Sequence, residues 1–322
     1  MKLRSARNRF TYVGRVVVVT GGSRGLGLLM GREVRKHGAR VVLLARNREE
    51  LLRAKERLGG GTSVLTIACD VTDRANVRHA IDIVIQHFGR IDMLINNAGI
   101  IQFGPLEHMT YGDYQHAMNV HFWGTLHCTE AVLPHMRRRR CGRIVNIASI
   151  GGLVALPHLA PYTASKFAVV GYSDAIRTEV AKDGIRVTTV CPGLMRTGSM
   201  VNALMKGQHE AEFAWFGALS SLPLVSINAR RAARKIVDAG RRGLPHLTIT
   251  PQARLAAMLD RLLPNTFGRM MMLATRVLPG PTGASGDESW PGREARPAAM
   301  PRVVTALSDR AAVRNNELLA TS

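Results

Sequence analysis

Tyr162 and Lys166 stand four residues apart in Tyr162-Thr163-Ala164-Ser165-Lys166. On a helix, positions i and i+4 share a face, so this spacing sets an ammonium beside a phenol. A free phenol has a pKa near 10, too high for a base at neutral pH. A neighbouring cation favours the phenolate and lowers that value. Such a pair could take a proton from an alcohol or return one to a ketone. Tyr-x-x-x-Lys also occurs by chance on ordinary amphipathic helices, so its weight depends on its surroundings. Ser149 lies upstream, just after the apolar run Arg143–Ala148. A hydroxyl at the end of a strand can hydrogen-bond a substrate oxygen and steady charge that develops on it.

A second constellation is Thr20-Gly21-Gly22-Ser23-Arg24-Gly25-Leu26-Gly27. It follows the apolar run Arg15–Thr20 and leads straight into helix-period sequence. Glycines there let the backbone turn tightly and approach a pyrophosphate, and a helix N-terminus offers free N–H groups to it. A glycine-rich turn alone is weak evidence. A strand before it and a helix after it make it a candidate dinucleotide loop.

The elements that would position these residues alternate regularly. Arg15–Thr20, Arg40–Ala45, Val64–Ala68, Ile91–Ile95, Arg143–Ala148, Ile185–Cys191 and His246–Ile249 read as strands, aliphatic without clean alternation, as strands covered on both faces are. Helix-period segments lie between them: Leu26–Lys36, Arg48–Leu58, Arg74–His87, Tyr114–Met136, Ala164–Lys182 and Ala229–Arg241. The order predicts an α/β fold, a Rossmann-type doubly wound parallel sheet of about seven strands with a C-terminal helical extension. The expected division is a basic segment 1–12, a dinucleotide-binding catalytic domain 13–250, an apolar helical extension 251–278 and a flexible Pro/Gly/Ser-rich tail 279–322. Residues 194–227, rich in Met and aromatics, read as a long inserted loop of functional kind.

With these motifs in this order, residues 13–250 resemble the compact, single-domain branch of the short-chain dehydrogenase/reductase family. The resemblance rests on Gly21, Gly25 and Gly27 in a TGxxxGxG loop, on Asn96-Asn97-Ala98-Gly99, on Ser149, on Tyr162 and Lys166, and on Pro192-Gly193 with Thr197 beyond. It implies hydride transfer between a nicotinamide and a secondary alcohol or ketone. It implies catalytic roles for Asn119, Ser149, Tyr162 and Lys166, with Lys166 also holding the nicotinamide ribose and Asn119 placing a relay water. Cofactor contacts are implied for Gly21, Ser23, Arg24, Gly25, Leu26, Gly27, Arg46, Asp70, Val71, Asn97, Ala98, Gly99, Tyr162, Lys166, Pro192, Gly193 and Thr197. Asp70 could instead serve as a helix cap. Ala45 stands where NAD-using relatives carry Asp, and Arg46 follows, so NADP(H) is expected over NAD(H).

Of 322 residues, 46% are hydrophobic and 21% charged, which excludes a wholly disordered chain. The net charge is +21, spread along the sequence rather than gathered in a tail. No zinc-finger, basic-zipper or aromatic–basic signature accompanies it, so no nucleic-acid partner is expected. Cys69, Cys128, Cys141 and Cys191 are far apart and read as reduced thiols. His108, His121, His158 and His209 show no ligand spacing, so no metal is assigned. Without a leader or a span of about 18 apolar residues, the expected location is cytoplasmic, with possible peripheral membrane contact.

The substrate is expected to be an apolar or lipid-like carbonyl or alcohol, if Leu153, Val154, Leu156, Pro157 and the insertion's Met, Phe and Trp residues line its cleft rather than pack the lid. Apolar residues on several faces of Tyr114–Met136 and Ala164–Lys182 suggest a homodimer or homotetramer. Residues 253–277, broken at Pro264, read as two short helices that pack beside the substrate lid, join a subunit interface or lie on an anionic membrane. Other readings are a catalytically silent dinucleotide sensor, against which the full set of polar residues argues, and a peripheral membrane protein.

Overall fold

The computed structural model describes residues 10–223 and 225–318. In chain order the first half contains β1 (Val16–Thr20), α1 (Gly25–Lys36), β2 (Arg40–Ala45), α2 (Arg48–Arg57), β3 (Val64–Ala68), α3 (Arg74–Phe88), β4 (Met93–Asn96), β5 (Gln102–Phe103), α4 (Tyr111–Met118) and α5 (Gly124–Arg138). There follow β6 (Gly142–Ile147), α6 (Ala160–Val180), β7 (Ile185–Cys191), β8 (Met195–Arg196), β9 (Leu204–Met205), α7 (His209–Ser221), β10 (Ile227–Asn228), α8 (Ala229–Arg242) and β11 (His246–Thr248). The chain ends with α9 (Pro251–Leu262), α10 (Pro264–Ala274), β12 (Trp290–Pro291) and α11 (Arg302–Arg314).

The central sheet has seven parallel strands in the order β11-β7-β6-β4-β1-β2-β3. Successive side chains of a strand point to opposite faces, and both faces are covered. Val17 and Val19 join the layer beneath α1, α2 and α8, while Val16 and Val18 join the layer beneath α3, α5 and α6. That double burial is why the strands read as unbroken aliphatic runs. The order reverses between β1 and β4, which opens a crevice at their carboxyl ends.

At the opposite edge of those strands Asp92 is fully buried. It accepts hydrogen bonds from the Val16 N–H at 3.0 Å and from Arg15, Arg90 and Arg139. Burial alone would raise this carboxyl, but the four donors outweigh it and hold it down at about 2.

Three expectations change. The helix foreseen over Tyr114–Met136 is α4 and α5 joined by a wider π turn, Asn119–Trp123, which changes the direction of every side chain across it. The insertion 194–227 is not a loop: it supplies β8, β9, β10 and α7, and β9 pairs with β5 and β12. Beyond Pro279 the chain is ordered through Leu318 rather than a flexible tail, because its polar side chains find partners. Ser308 of α11 meets Ser221 of α7 at 2.8 Å, and Arg296 reaches Asp309 and Thr305. Of the basic segment, residues 1–9 lie outside the described residues, while Phe10 and Tyr12 are buried against the core, with the Tyr12 hydroxyl donating to the Val237 carbonyl at 2.7 Å. Among the described residues no helix is long and apolar enough to cross a membrane.

Asp92→Ala should destabilise the fold at pH 7 by roughly 1.5–3 kcal/mol, the scale of hydrogen bonds to a charged group. Because the folded carboxyl titrates below its unfolded value, its contribution is complete above about pH 4 and fades as pH falls through about 2. Urea unfolding of both proteins at pH 7 and pH 3 checks this: the gap between them should narrow in acid.

Candidate active site

The crevice holds a cavity of about 640 Å³ that brings the glycine loop and Tyr162 to one space. Thr20, the last residue of β1, ties the loop down. Its hydroxyl accepts from the N–H groups of Asn97 and Ala98 at 2.9 and 3.0 Å, and Asn97 Nδ2 donates to the carbonyls of Thr20 and Gly21. Gly21 has φ +60°, and a Cβ there would lie 2.9 Å from Ala98 Cα. A Cβ on Gly27 would collide with the Gly21 carbonyl. The cradle therefore needs glycine at both positions, and it fits a ligand whose backbone approach must be close.

All the expected cofactor positions line this cavity except Gly27, which lies under the loop. Asp70 Oδ1 accepts from the N–H and hydroxyl of Thr72, while Asp73 caps α3. The Asp70 carboxylate is thus free of the cap role. Arg46 is exposed at one end of the cavity. Arg24 is paired with Glu50 at 3.2 Å and with Glu317 at 3.3 Å.

Ser149, Tyr162 and Lys166 converge on the opposite end. Ser149 Oγ accepts from the Gly151 N–H at 3.1 Å and stands close enough to the phenol to favour its charged form. Lys166 Nζ donates to the Ile147 carbonyl at 3.0 Å and lies 5.6 Å from the centre of the Tyr162 ring. The lowered phenol expected from the Tyr–Lys spacing is not what the protein alone produces. Burial pushes Tyr162 up to about 12 despite Ser149, and burial brings Lys166 down to about 8. The ammonium is anchored to a carbonyl beside the ring, and desolvation outweighs its pull.

Asn119 is not in the cavity. It is exposed at the start of the π turn, and His121 takes the inward place. His121 is 1% exposed and meets the Tyr162 ring edge-on, with centroids 5.4 Å apart. The Ile100 N–H can donate to Nε2 at 3.1 Å. Nδ1 then donates to Ser165 Oγ at 2.7 Å, and Ser165 donates to the Tyr162 carbonyl at 2.8 Å. Nε2 lies equally 3.1 Å from the Ile100 carbonyl, so it is burial rather than this set of bonds that keeps the ring neutral. Burial, then the Lys166 charge, keep His121 well below the usual histidine value.

The remaining wall is apolar. Ile101, Phe103, Leu156, Leu159, Met195 and Phe216 line it, and Phe103 and Phe216 are in ring contact at 3.8 Å between centroids. Of the expected lining, Leu156, Met195, Met200 and Phe216 are present. Phe213 is core, Trp215 is exposed, and Val154 packs with Ala257 and Phe267 under α9 and α10. The extension therefore buttresses the segment after Ser149. Sequence reasoning missed Phe103, which no motif marks, and Glu317, which arrives from the far end of the chain.

Because the folded His121 resists protonation, the unfolded chain takes up a proton first as pH falls through about 6.5, and stability drops there. His121→Asn should flatten that part of the pH–stability curve. His121→Ala should cost roughly 1–3 kcal/mol by leaving buried donors unpaired. Chemical denaturation from pH 8 to 5 checks both.

Comparison with known proteins agrees with this geometry. The family model described as short chain dehydrogenase matches residues 15–208. The chain is 31% identical over 267 residues to a putative oxidoreductase, SadH, of Mycobacterium tuberculosis, covering 81% of this chain and 95% of that one. It is 38% identical over 198 residues to a 3-ketodihydrosphingosine reductase of Bacteroides thetaiotaomicron, covering 61% and 70%. Among solved structures, an actinorhodin polyketide ketoreductase variant with NADPH superposes with a TM-score of 0.65 at 28% identity, covering 74% of this chain and 97% of that one. The glycine cradle, the parallel sheet and these relatives together make the chain a member of the short-chain dehydrogenase family, an oxidoreductase of CH–OH and C=O groups that uses a nicotinamide dinucleotide.

Proposed function

We propose that this protein is an NADP(H)-dependent reductase of apolar, lipid-like ketones. The observation that carries the reading is the convergence of Ser149, Tyr162 and Lys166 on one cavity with the glycine loop. Bound at that loop, the dinucleotide supplies or accepts hydride. Ser149 hydrogen-bonds the carbonyl oxygen, and Tyr162 gives it a proton as negative charge develops there. A phenol that burial pushes up to about 12 carries its proton at neutral pH, the form that can protonate a carbonyl oxygen. Lys166 holds a positive charge beside the ring, and neutral His121 fixes the start of α6 through Ser165. The apolar wall supports a lipid-like substrate, as does the likeness to a 3-ketodihydrosphingosine reductase. Exposed Arg46, with no acid at position 45, supports NADP(H), as does the NADPH-bound relative.

A panel of ketones assayed with NADPH and NADH by absorbance tests the reading. Tyr162→Phe should cut turnover by about a hundredfold or more, the scale of a lost general acid, while cofactor binding survives. Arg46→Ala should raise KM for NADPH by about tenfold or more and leave NADH nearly unchanged, as for one lost charge-assisted contact. Equal effects on both cofactors would refute the role of Arg46.

We also infer two assemblies from exposed apolar surface. Trp123 and Phe167, on the outer faces of the π turn and α6, are 45% and 44% exposed and support a two-fold dimer through these helices. On α9 and α10, Leu255, Met258, Leu262, Met270 and Leu273 are exposed among Arg254, Arg261 and Arg269, with Asp260 the one acid between residues 251 and 278. Apolar side chains ringed by arginine suit an anionic bilayer surface. The full chain should sediment with phosphatidylserine vesicles at low salt and be released as salt screens the attraction. Leu262→Asp with Leu273→Asp should abolish sedimentation and spare turnover of a water-soluble ketone.

A further inference from the structure

The C-terminal segment is in contact with the glycine loop. After α11 the chain crosses the cavity mouth. The Gly25 N–H, first of the free donors at the N-terminus of α1, donates to the Asn315 carbonyl at 2.8 Å. Asn315 Nδ2 donates to the Thr197 carbonyl at 2.8 Å, and Asn316 Nδ2 donates to the Ser23 carbonyl at 2.9 Å. Arg57, on α2, donates to the Val313 and Arg314 carbonyls. The segment is thus held by both lips of the crevice.

Glu317 goes deepest. Its side chain is 3% exposed, pairs with Arg24 Nε at 3.3 Å and accepts from Asn202 Nδ2 at 2.8 Å. One carboxylate oxygen lies where a Gly25 side chain would be. A helix N-terminus with a basic side chain beside it is a place built for an anion, and here the anion is the protein's own. Glu50 adds a second carboxylate, taking Ser23 Oγ at 2.8 Å and the other arm of Arg24.

We propose that Glu317 is a specificity-determining residue of the cofactor site: an internal competitor that occupies Arg24 and fills the space beside Gly25, and is displaced when the phosphate groups of the dinucleotide bind. The proposal rests on the dinucleotide reading of the cavity. A carboxylate uses the same donors as a phosphate, so the two cannot share them. Either dinucleotide must clear the segment from Gly25, but the charge of Arg24 serves the extra 2′-phosphate, so competition for Arg24 falls harder on NADPH and Glu317 narrows the preference for NADPH over NADH. The segment is displaceable because its burial is costly. Desolvation pushes the Glu317 carboxyl up to about 7 against the pull of Arg24 and Asn202, and Glu50 adds to the rise.

The test titrates NADPH and NADH, by nicotinamide fluorescence, into the full chain, into Glu317→Ala and into a chain lacking residues 315–322. Both variants should bind NADPH about tenfold more tightly than the full chain, with a smaller gain for NADH. Thermal melting shows that each variant is folded; if the deletion is not, Glu317→Ala still decides. Unchanged or weaker NADPH binding by a folded variant overturns the proposal, because Glu317 would then be neutral or a contributor to the site. Equal gains for the two cofactors overturn its role in specificity. Failure of all three proteins to bind either dinucleotide overturns the dinucleotide reading, and the proposal with it.

Discussion

Thr20 and Asn97 tie the ends of β1 and β4 together where the strand order reverses, and the rest of the molecule is arranged around that tie. Four hydrogen bonds cross the gap, all within 3.1 Å. They leave no room for side chains at Gly21 or Gly27. The loop consequently lies flat against the sheet edge, and α1 starts with its N–H groups facing the crevice. β6 extends the same edge on the far side of β4 and ends two residues before Ser149, so the residues that could move a proton and those that could hold phosphates share one rim.

The chemistry at the rim follows from dryness. Tyr162 is held up, Lys166 down and His121 far down, and burial is the first cause of each. A wet site would leave all three near their solution values. Here the phenol keeps its proton, the ammonium gives up its proton more readily, and the imidazole stays neutral as a structural link. The same physics makes the Glu317 carboxylate an uneasy occupant at the other end of the cavity.

Much of this was legible in the sequence because it depends on local pattern. The seven strands declared themselves as aliphatic runs, since burial on both faces removes polar residues from them. The glycine loop and the Tyr162–Lys166 pair were visible because each works through neighbours a few residues apart. What was not legible depended on departures from regular geometry or on distant contacts. Asn119 was assigned to the site on family likeness within what read as one regular helix, and a π turn leaves no mark in hydrophobic spacing. The expected fall in the Tyr162 pKa considered the charge of Lys166 but not the burial of the ring. Residues 279–322 read as a flexible tail because Pro, Gly, Ser and charged residues fill its first half, and no periodicity joins Glu317 to Arg24.

The π turn at Asn119–Trp123 has a consequence for register. Its wider loop accommodates one residue more than an α-helix would over the same rise. Each residue of a regular helix advances the side chains by about 100°. Removing one residue here would restore a plain helix and turn α4 by that angle relative to α5, or force the strain into the loop before it. His121 could then no longer face Ser165 while Cys128 and Val132 stayed beneath the sheet. The apparent irregularity is what allows a single run of helix to serve two neighbours whose directions do not match: the hydrophobic layer under α5 and the polar link to the start of α6.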